Sequence, residues 1–293
     1  MILVTAANGN QGKLLIPRLV AAGHEVRASV RSDASAEALH AAGVSDVVVG
    51  DLSAPEVLSR AVRDVDSIYY VGPTLSPSER AVGFAIVDAA RAAGVAHFVF
   101  SSALHAITTD LLQHEIKRDV EEHLLSSDLE FTILQPTNYM LAHRLGPVFD
   151  RGVFELSWSL DRKQSLVEIG DIAEVAALVL GDPERHFGAT YELASAGRYT
   201  AHDLGDILSR VVGRPIDVRE IDADAFAVSR LAGEDESTKA YKLPVMRALS
   251  ARYSAHDFVG NPNVLTWLLG RTPTTFEQWA RARYVEYQAR TRG

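Results

Sequence analysis

The 293-residue chain carries 29 Lys and Arg against 38 Asp and Glu, a formal charge of −9, which argues against nucleic acid or an anionic membrane surface as a partner. At 47% hydrophobic, 23% charged and 8% aromatic, the composition is that of an enzyme with a core to bury, neither disordered nor fibrous. Zero Cys excludes disulfides, thiolate zinc sites, iron–sulfur clusters and Cys nucleophiles, and points to a cytoplasmic protein.

The opening Met-Ile-Leu-Val-Thr lacks a signal peptide's basic region and cleavage site, so it is read as a first strand. No apolar run approaches the roughly 20 residues of a membrane span. Short apolar runs then alternate with amphipathic stretches, the pattern of strand–helix–strand units in a parallel sheet. Six strands are expected, at Ile2 to Ala6, Glu25 to Arg31, Asp46 to Gly50, Ser67 to Gly72, Val95 to Ser101 and Glu130 to Gln135. Several are apolar at consecutive positions, as in Val47-Val48-Val49 and Ile68-Tyr69-Tyr70-Val71, which suits strands covered by helices on both faces. Helices are expected at about 11 to 22, 34 to 42, 55 to 62, 78 to 93 and 110 to 126, most closed by a Gly or Asp turn.

Beyond residue 140 the pattern is less regular. Strands are expected at Val153 to Trp158, Ser165 to Ile169 and about Thr190 to Leu193, and a helix over Asp171 to Leu180. Asp171 with Glu174, and Thr200 with Asp203, have the spacing of an N-cap and its returning carboxylate. The acidic stretch Ser229 to Thr238 reads as a mobile surface loop, and a last helix follows Phe276. At about 150 residues per domain, the chain divides into residues 1–150 and a smaller lobe, 151–293, with some segments packing back on the first.

Directly after the first strand stands Thr5-Ala6-Ala7-Asn8-Gly9-Asn10-Gln11-Gly12. This is Gly-x-x-Gly-x-x-Gly spacing with Ala6 in the first place, between a strand and a helix, which is the context that gives the pattern meaning. Backbone N–H groups at such a helix start meet a pyrophosphate, with no side chain in the way at Gly9 or Gly12. Ala6 is expected to keep a negative φ, because a Cβ disfavours the left-handed region. At the end of the second strand, where an acidic side chain would grip the adenosine ribose, stands Arg31. A guanidinium attracts a 2′-phosphate instead and favours NADP(H), with Asp33 as the ribose ligand should the strand run further. Asp51 and Leu52, after the third strand, are placed to accept from an adenine amino group and to cover the ring, Asp51 being also an N-cap candidate.

Residues at the ends of strands four to six converge on the nicotinamide side of such a crevice: Gly72, Pro73, Thr74, Ser101, Ser102, Gln135, Pro136, Thr137 and Asn138. The helix after strand five offers Gln113, His114 and Lys117 on one face. Lys117 is one of only five lysines and the sole one between Lys13 and Lys163. It is a candidate for cofactor or substrate contact, or for an ion pair with Glu121 four residues on. His114 is either a second candidate catalytic group or a packed imidazole. His114-Glu115 opens a zinc-protease pattern that Arg118 breaks, so no metal site is expected, and neither a Gly-x-Ser-x-Gly elbow nor a Walker loop is present. None of the nine tyrosines precedes a Lys by four residues, and Gln113 stands where the Tyr of a Tyr-x-x-x-Lys pair would be.

These residues resemble the NmrA-like family of atypical short-chain dehydrogenases/reductases. The likeness rests on the turn at 5 to 12, Val-Arg-Ser at 30 to 32, Gly-Asp-Leu at 50 to 52 and Ala-Gly-Val-x-His-Phe-Val-Phe-Ser-Ser at 93 to 102. It continues through Lys117-x-x-x-Glu121, Phe-Thr-Ile-Leu-Gln-Pro at 131 to 136, Gly-Asp-Ile-Ala-Glu-Val-Ala at 170 to 176 and Leu-Gly-Arg-Thr-Pro-Thr-Thr-Phe-Glu-Gln-Trp at 269 to 279. It implies a doubly wound parallel-sheet Rossmann domain, a smaller α+β substrate lobe, NADP(H) as ligand and loss of the usual Tyr. The family holds NADPH-dependent quinone and aromatic-ether reductases, in which a Lys like Lys117 assists, and regulators that sense nicotinamide redox state. Ala6 and Gln135 depart from it, where Gly and Arg are commoner. Two readings follow: an NADPH-dependent oxidoreductase passing hydride to a small quinone- or carbonyl-type substrate, or a non-catalytic NADP(H)-binding sensor with a protein partner, which the missing Tyr favours. Ala6 leaves room for a third, a Rossmann protein that no longer binds cofactor.

Overall fold

The computed structural model describes residues 1–292. The apolar runs of the first half form alternating strands and helices: β1 (Ile2–Val4), α1 (Gly12–Ala21), β2 (Val26–Val30), α2 (Asp33–Ala41), β3 (Asp46–Val49), α3 (Pro55–Val62), β4 (Ser67–Tyr70), α4 (Glu79–Ala93), β5 (His97–Ser101), α5 (Leu112–Leu125) and β6 (Phe131–Pro136). There follow β7 (Asn138–Tyr139), α6 (Gly146–Arg151), β8 (Val153–Leu156), β9 (Leu166–Val167), α7 (Ile169–Gly181), α8 (Pro183–His186) and β10 (Ala189–Leu193). The remainder is α9 (Ala201–Val212), β11 (Asp217–Glu220), α10 (Ala223–Arg230), α11 (Glu236–Ala255), α12 (Asn263–Leu269) and α13 (Phe276–Arg292).

Seven strands share one sheet in the order β10-β6-β5-β4-β1-β2-β3, and β1 to β6 pair in parallel. The strand order reverses between β1 and β4, the topological switch point at which open α/β sheets bind ligands. This is the doubly wound α/β fold expected from the sequence. Leu3, Ile68, Tyr70, Phe98, Phe100 and Ile133 from the strands pack against Ile86, Val120 and Leu124 from α4 and α5. Each such side chain contributes about 1.5–3 kcal/mol on full burial.

By compactness the chain forms two units. The first is Met1–Pro136 with Ile169–Glu192; the second is Thr137–Glu168 with everything from Leu193 onward. The chain thus leaves the sheet unit at Thr137, before residue 150, and returns to it for α7 and most of β10. The second unit holds two short parallel pairs, β8 with β11 and β7 with β9, among its helices. No helix of the described residues is long and apolar enough to cross a membrane.

Three local expectations are corrected. The stretch 229 to 238 is only partly loop, because α10 ends at Arg230 and α11 begins at Glu236. Its start signal is Asp235, whose carboxylate accepts from the Thr238 amide at 2.9 Å and from the Ser237 and Thr238 hydroxyls. Asp171 is not an N-cap, since α7 opens two residues earlier and holds it buried in its first turn. Asp51 caps no helix either: the N-cap of α3 is Ala54, and the Asp51 carboxylate instead accepts from the Ser53 amide at 2.8 Å, closing a turn. The Thr200–Asp203 capping box forms as read, at 3.1 and 2.8 Å.

Candidate functional site

In the first unit the turn between β1 and α1 is fixed from below. Buried Thr5 donates its hydroxyl to the Val71 carbonyl at 3.2 Å and accepts from the Val71 amide at 2.8 Å. The Ala7 amide reaches the Ser29 carbonyl at 3.2 Å, and the Gly9 amide returns to the Ala6 carbonyl at 2.7 Å. Asn8 and Asn10 are exposed and Gly9 half-buried, whereas Gln11 and Gly12 are buried. The Gln11 side chain is part of the scaffold: its amide donates to the Ser101 hydroxyl at 3.0 Å and its carbonyl accepts from Tyr69. Gln11 and Ser101 therefore tie the turn to the end of β5.

Ala6 overturns its expectation, with φ at +47°. The bonds on either side hold the turn, so the Cβ is carried into the left-handed region at about 1–2 kcal/mol. Leu75 (φ 60°) and His105 (φ 56°) share this conformation, on the loops after β4 and β5. Three of the five described non-glycine residues with positive φ thus stand on the loops following β1, β4 and β5, at about 1–3 kcal/mol each, while the other two, Asp64 and Asp128, follow α3 and α5. Ala6→Gly is expected to stabilise the protein by roughly 0.5–1 kcal/mol, the left-handed penalty less the entropy glycine loses. A urea midpoint that rises with unchanged slope checks it; a fall contradicts the left-handed turn.

Arg31 stands exposed one residue past β2. Next to it, the Ser32 hydroxyl caps α2, accepting from the Ser35 amide at 3.4 Å, and the Asn8 amide donates to the Ser35 hydroxyl at 2.9 Å. Asp33 lies in the first turn of α2 rather than on a longer strand. Hydrogen bonds from the Ser53 amide and hydroxyl, and then the Arg31 charge, hold the Asp51 carboxyl below its usual range against a small burial penalty. Leu52 is half-buried against the core.

A second cluster lies beyond β4. Lys117 and Glu79 form a buried ion pair at 2.8 Å, with side-chain exposures of 9% and 2%. The ammonium lies over the Phe100 ring, 5.4 Å from its centroid. The other Glu79 oxygen accepts from the Leu75 amide at 3.2 Å, so the pair also holds the strained loop. Gly72 belongs to the same cluster: a Cβ there would lie 3.2 Å from the Tyr70 hydroxyl and 3.3 Å from the Lys117 nitrogen. Pro73 follows it, half-buried. Glu79 and Tyr70 carry no signal in the sequence, which offers Lys117 a cofactor or substrate contact or its helical neighbour Glu121. Glu121 instead accepts from Gln135 at 2.8 Å, which gives that departure from the family pattern a structural use. Burial raises the Glu121 carboxyl above its usual range, against Ser102, Gln135 and Lys117, which favour its charge. The Tyr70 hydroxyl is buried without a hydrogen-bond partner. Burial and then the Glu79 charge push its pKa far up, the opposite of the tuning a phenolic proton donor needs.

His114 is buried, with Nδ1 at 3.0 Å from the His105 carbonyl, a contact that ties α5 to the strained loop after β5. Pro136 ends β6 in the first unit. Asn138 belongs to the second, where its amide donates to Gln164 at 2.8 Å and its carbonyl accepts from Tyr253 at 3.0 Å. The structure thus brings the proposed residues of the first unit to the carboxyl ends of β1 to β6, and leaves the Asn138 side chain committed elsewhere. Among the described residues no group of three or more His, Asp or Glu is arranged to hold a metal.

A profile described as the NmrA-like family matches residues 1–248. An NAD(P)H azoreductase from Xenophilus azovorans is 28% identical over 297 residues, spanning 99% of this chain and 100% of its own. Quinone oxidoreductase 2 from Escherichia coli K12 is 27% identical over 235 residues, 78% of this chain and 80% of its own. Among solved structures, a Citrobacter triphenylmethane reductase complexed with NADP(H) superposes with a TM-score of 0.81 at 24% identity, covering 96% of this chain and 99% of its own. At that identity the structural likeness concerns the fold.

Proposed function

Because the chain belongs to the NmrA-like family, we propose that it is an NADPH-dependent oxidoreductase that passes hydride to a small quinone- or carbonyl-type substrate. The relatives whose names declare azo and quinone reduction support the reaction class, and the Cys-free composition supports a cytoplasmic setting.

The observation that carries the reading is the carboxyl edge of β1 and β2: a glycine turn opening α1, and an exposed Arg31 where a ribose-binding carboxylate would otherwise stand. The residues present fit a dinucleotide. Gly9 puts no side chain over the start of α1, whose amide end favours phosphate. Arg31, with the Ser32 and Ser35 hydroxyls and the Asn8 amide beside it, offers the donors a 2′-phosphate requires. Asp51, held charged, suits an adenine amino group. When bound, NADPH would supply a hydride, which carries both electrons and one hydrogen, and that hydride with one proton converts a quinone to a hydroquinone. Lys117 has donors beyond its Glu79 contact with which to hold a ribose hydroxyl or steady an oxyanion. Protons for a quinone come from water, so this chemistry does not depend on the absent Tyr.

NADPH oxidation followed against a panel of quinones tests the reaction, and no turnover with saturating cofactor contradicts it. Arg31→Ala is expected to weaken NADPH about tenfold to a hundredfold, the 1.5–3 kcal/mol of a charge-assisted hydrogen bond, while changing NADH less than twofold. Equal losses for both coenzymes in a fluorescence titration would remove Arg31 from the 2′-phosphate site.

A further inference from the structure

The second unit encloses a cavity of about 120 Å³, walled by aromatic side chains that include Trp158, Tyr253 and Phe276. In a chain with 38 acidic residues the wall has no Asp or Glu, yet it has two arginines, Arg144 and Arg162. Arg162 is occupied, donating to the Ser254 carbonyl at 3.2 Å beside Asp257. Arg144 is different. Its guanidinium lies over the Trp158 ring, 5.2 Å from the centroid, and makes no hydrogen bond or ion pair with any described residue. Stacking uses the face of a guanidinium and leaves its in-plane N–H donors for another group.

Two further wall residues have donors to spare. Trp158 Nε1 and Gln164 Nε2 are buried without a hydrogen-bond partner among the described residues, the Gln164 carbonyl being taken by Asn138. A buried donor left unmade costs about 1–3 kcal/mol, and these two, with the solvent-exposed Arg144 guanidinium on the same lining and no acid among them, describe a surface suited to an acceptor. The edge-on packing of Trp158 and Tyr253, with centroids at 5.4 Å and planes at 82°, makes a corner that suits a flat ring.

We infer that the second unit binds a planar aromatic carboxylate, its anion on Arg144 and its ring between the aromatic walls. The site holds whether or not the bound molecule is reduced, so it stands apart from the reductase reading.

Calorimetric titration without NADPH tests it, with benzoate and its neutral counterpart benzyl alcohol as probes, single rings that suit a cavity of about 120 Å³. The wild-type protein is expected to bind the carboxylate at least tenfold more tightly than the alcohol. Arg144→Gln should bring the two within twofold, leaving the alcohol and NADPH affinities unchanged, and Arg144→Lys should restore part of the preference. An unchanged NADPH affinity certifies the fold of each variant. The inference is overturned if neither probe binds, if the wild-type protein does not prefer the carboxylate, or if the preference survives in Arg144→Gln.

Discussion

Lys117→Met is expected to destabilise the protein by about 3–5 kcal/mol, the cost of leaving a buried charge without its partner. Glu79 is 2% exposed and pairs with Lys117 at 2.8 Å. Glu79→Gln should cost a comparable amount by stranding the ammonium. The double variant, Lys117→Met with Glu79→Gln, should regain most of the loss, because an intact buried pair repays little more than its own desolvation. The urea curves of the three variants, with that of wild type, form a thermodynamic cycle whose coupling isolates the pair. Turnover in the double variant then divides two roles that the single variant confounds. If Lys117 steadies the substrate or the ribose, the stable double variant reduces quinones far more slowly than wild type; if it only braces the loop at Leu75, activity returns with stability. A loss below 1 kcal/mol for Lys117→Met would show that the pair is solvated.

This ion pair marks where the sequence stops being informative. What lies along one strand or one helix is legible: the consecutive apolar residues of β3 and β4, the Thr200–Asp203 capping box, and Arg31 at a strand end. The partner of Lys117 is not, because Glu121 is the local choice and Glu79 becomes available only when α4 packs beside α5. Gln135 is the counterpart of that error, since it occupies the Glu121 carboxylate that Lys117 leaves. The conformation of Ala6 is hidden for a similar reason. A local rule assigns Ala a negative φ, and the bonds from Thr5 to Val71 and from Ala7 to Ser29 outweigh a penalty of about 1–2 kcal/mol. The long helix α11 escaped for lack of an apolar stripe, with only Val245, Ser250 and Tyr253 buried along its twenty residues, so its start at Asp235 was the better signal.

Gly12→Ala is expected to unseat the turn itself. A Cβ at Gly12 would lie 2.5 Å from the Ala7 carbonyl oxygen and 2.7 Å from the Ala7 carbonyl carbon and Cα. These are backbone atoms, so no rotamer change relieves the overlap. Ala7 cannot retreat without loss, because its amide is held by the Ser29 carbonyl and the preceding Thr5 is buried and bonded to β4. Either α1 lifts away from the sheet or the turn opens, at the roughly 1–3 kcal/mol of overpacking. At about 2–4 °C per kcal/mol for a chain of this size, that is a drop of roughly 2–12 °C in melting temperature. Gly9→Ala should separate the turn's two functions. Its Cβ would meet one backbone atom, the Ala6 oxygen at 2.9 Å, and the half-buried position leaves room for a smaller adjustment. Stability should fall less there, while NADPH binding still weakens at least tenfold because the methyl group stands on the path of the phosphates. Thermal melting of both variants with an NADPH titration of each decides the matter. A Gly12→Ala protein that melts with wild type, or a Gly9→Ala protein that binds NADPH unchanged, would mean that this turn neither packs nor binds as its geometry requires.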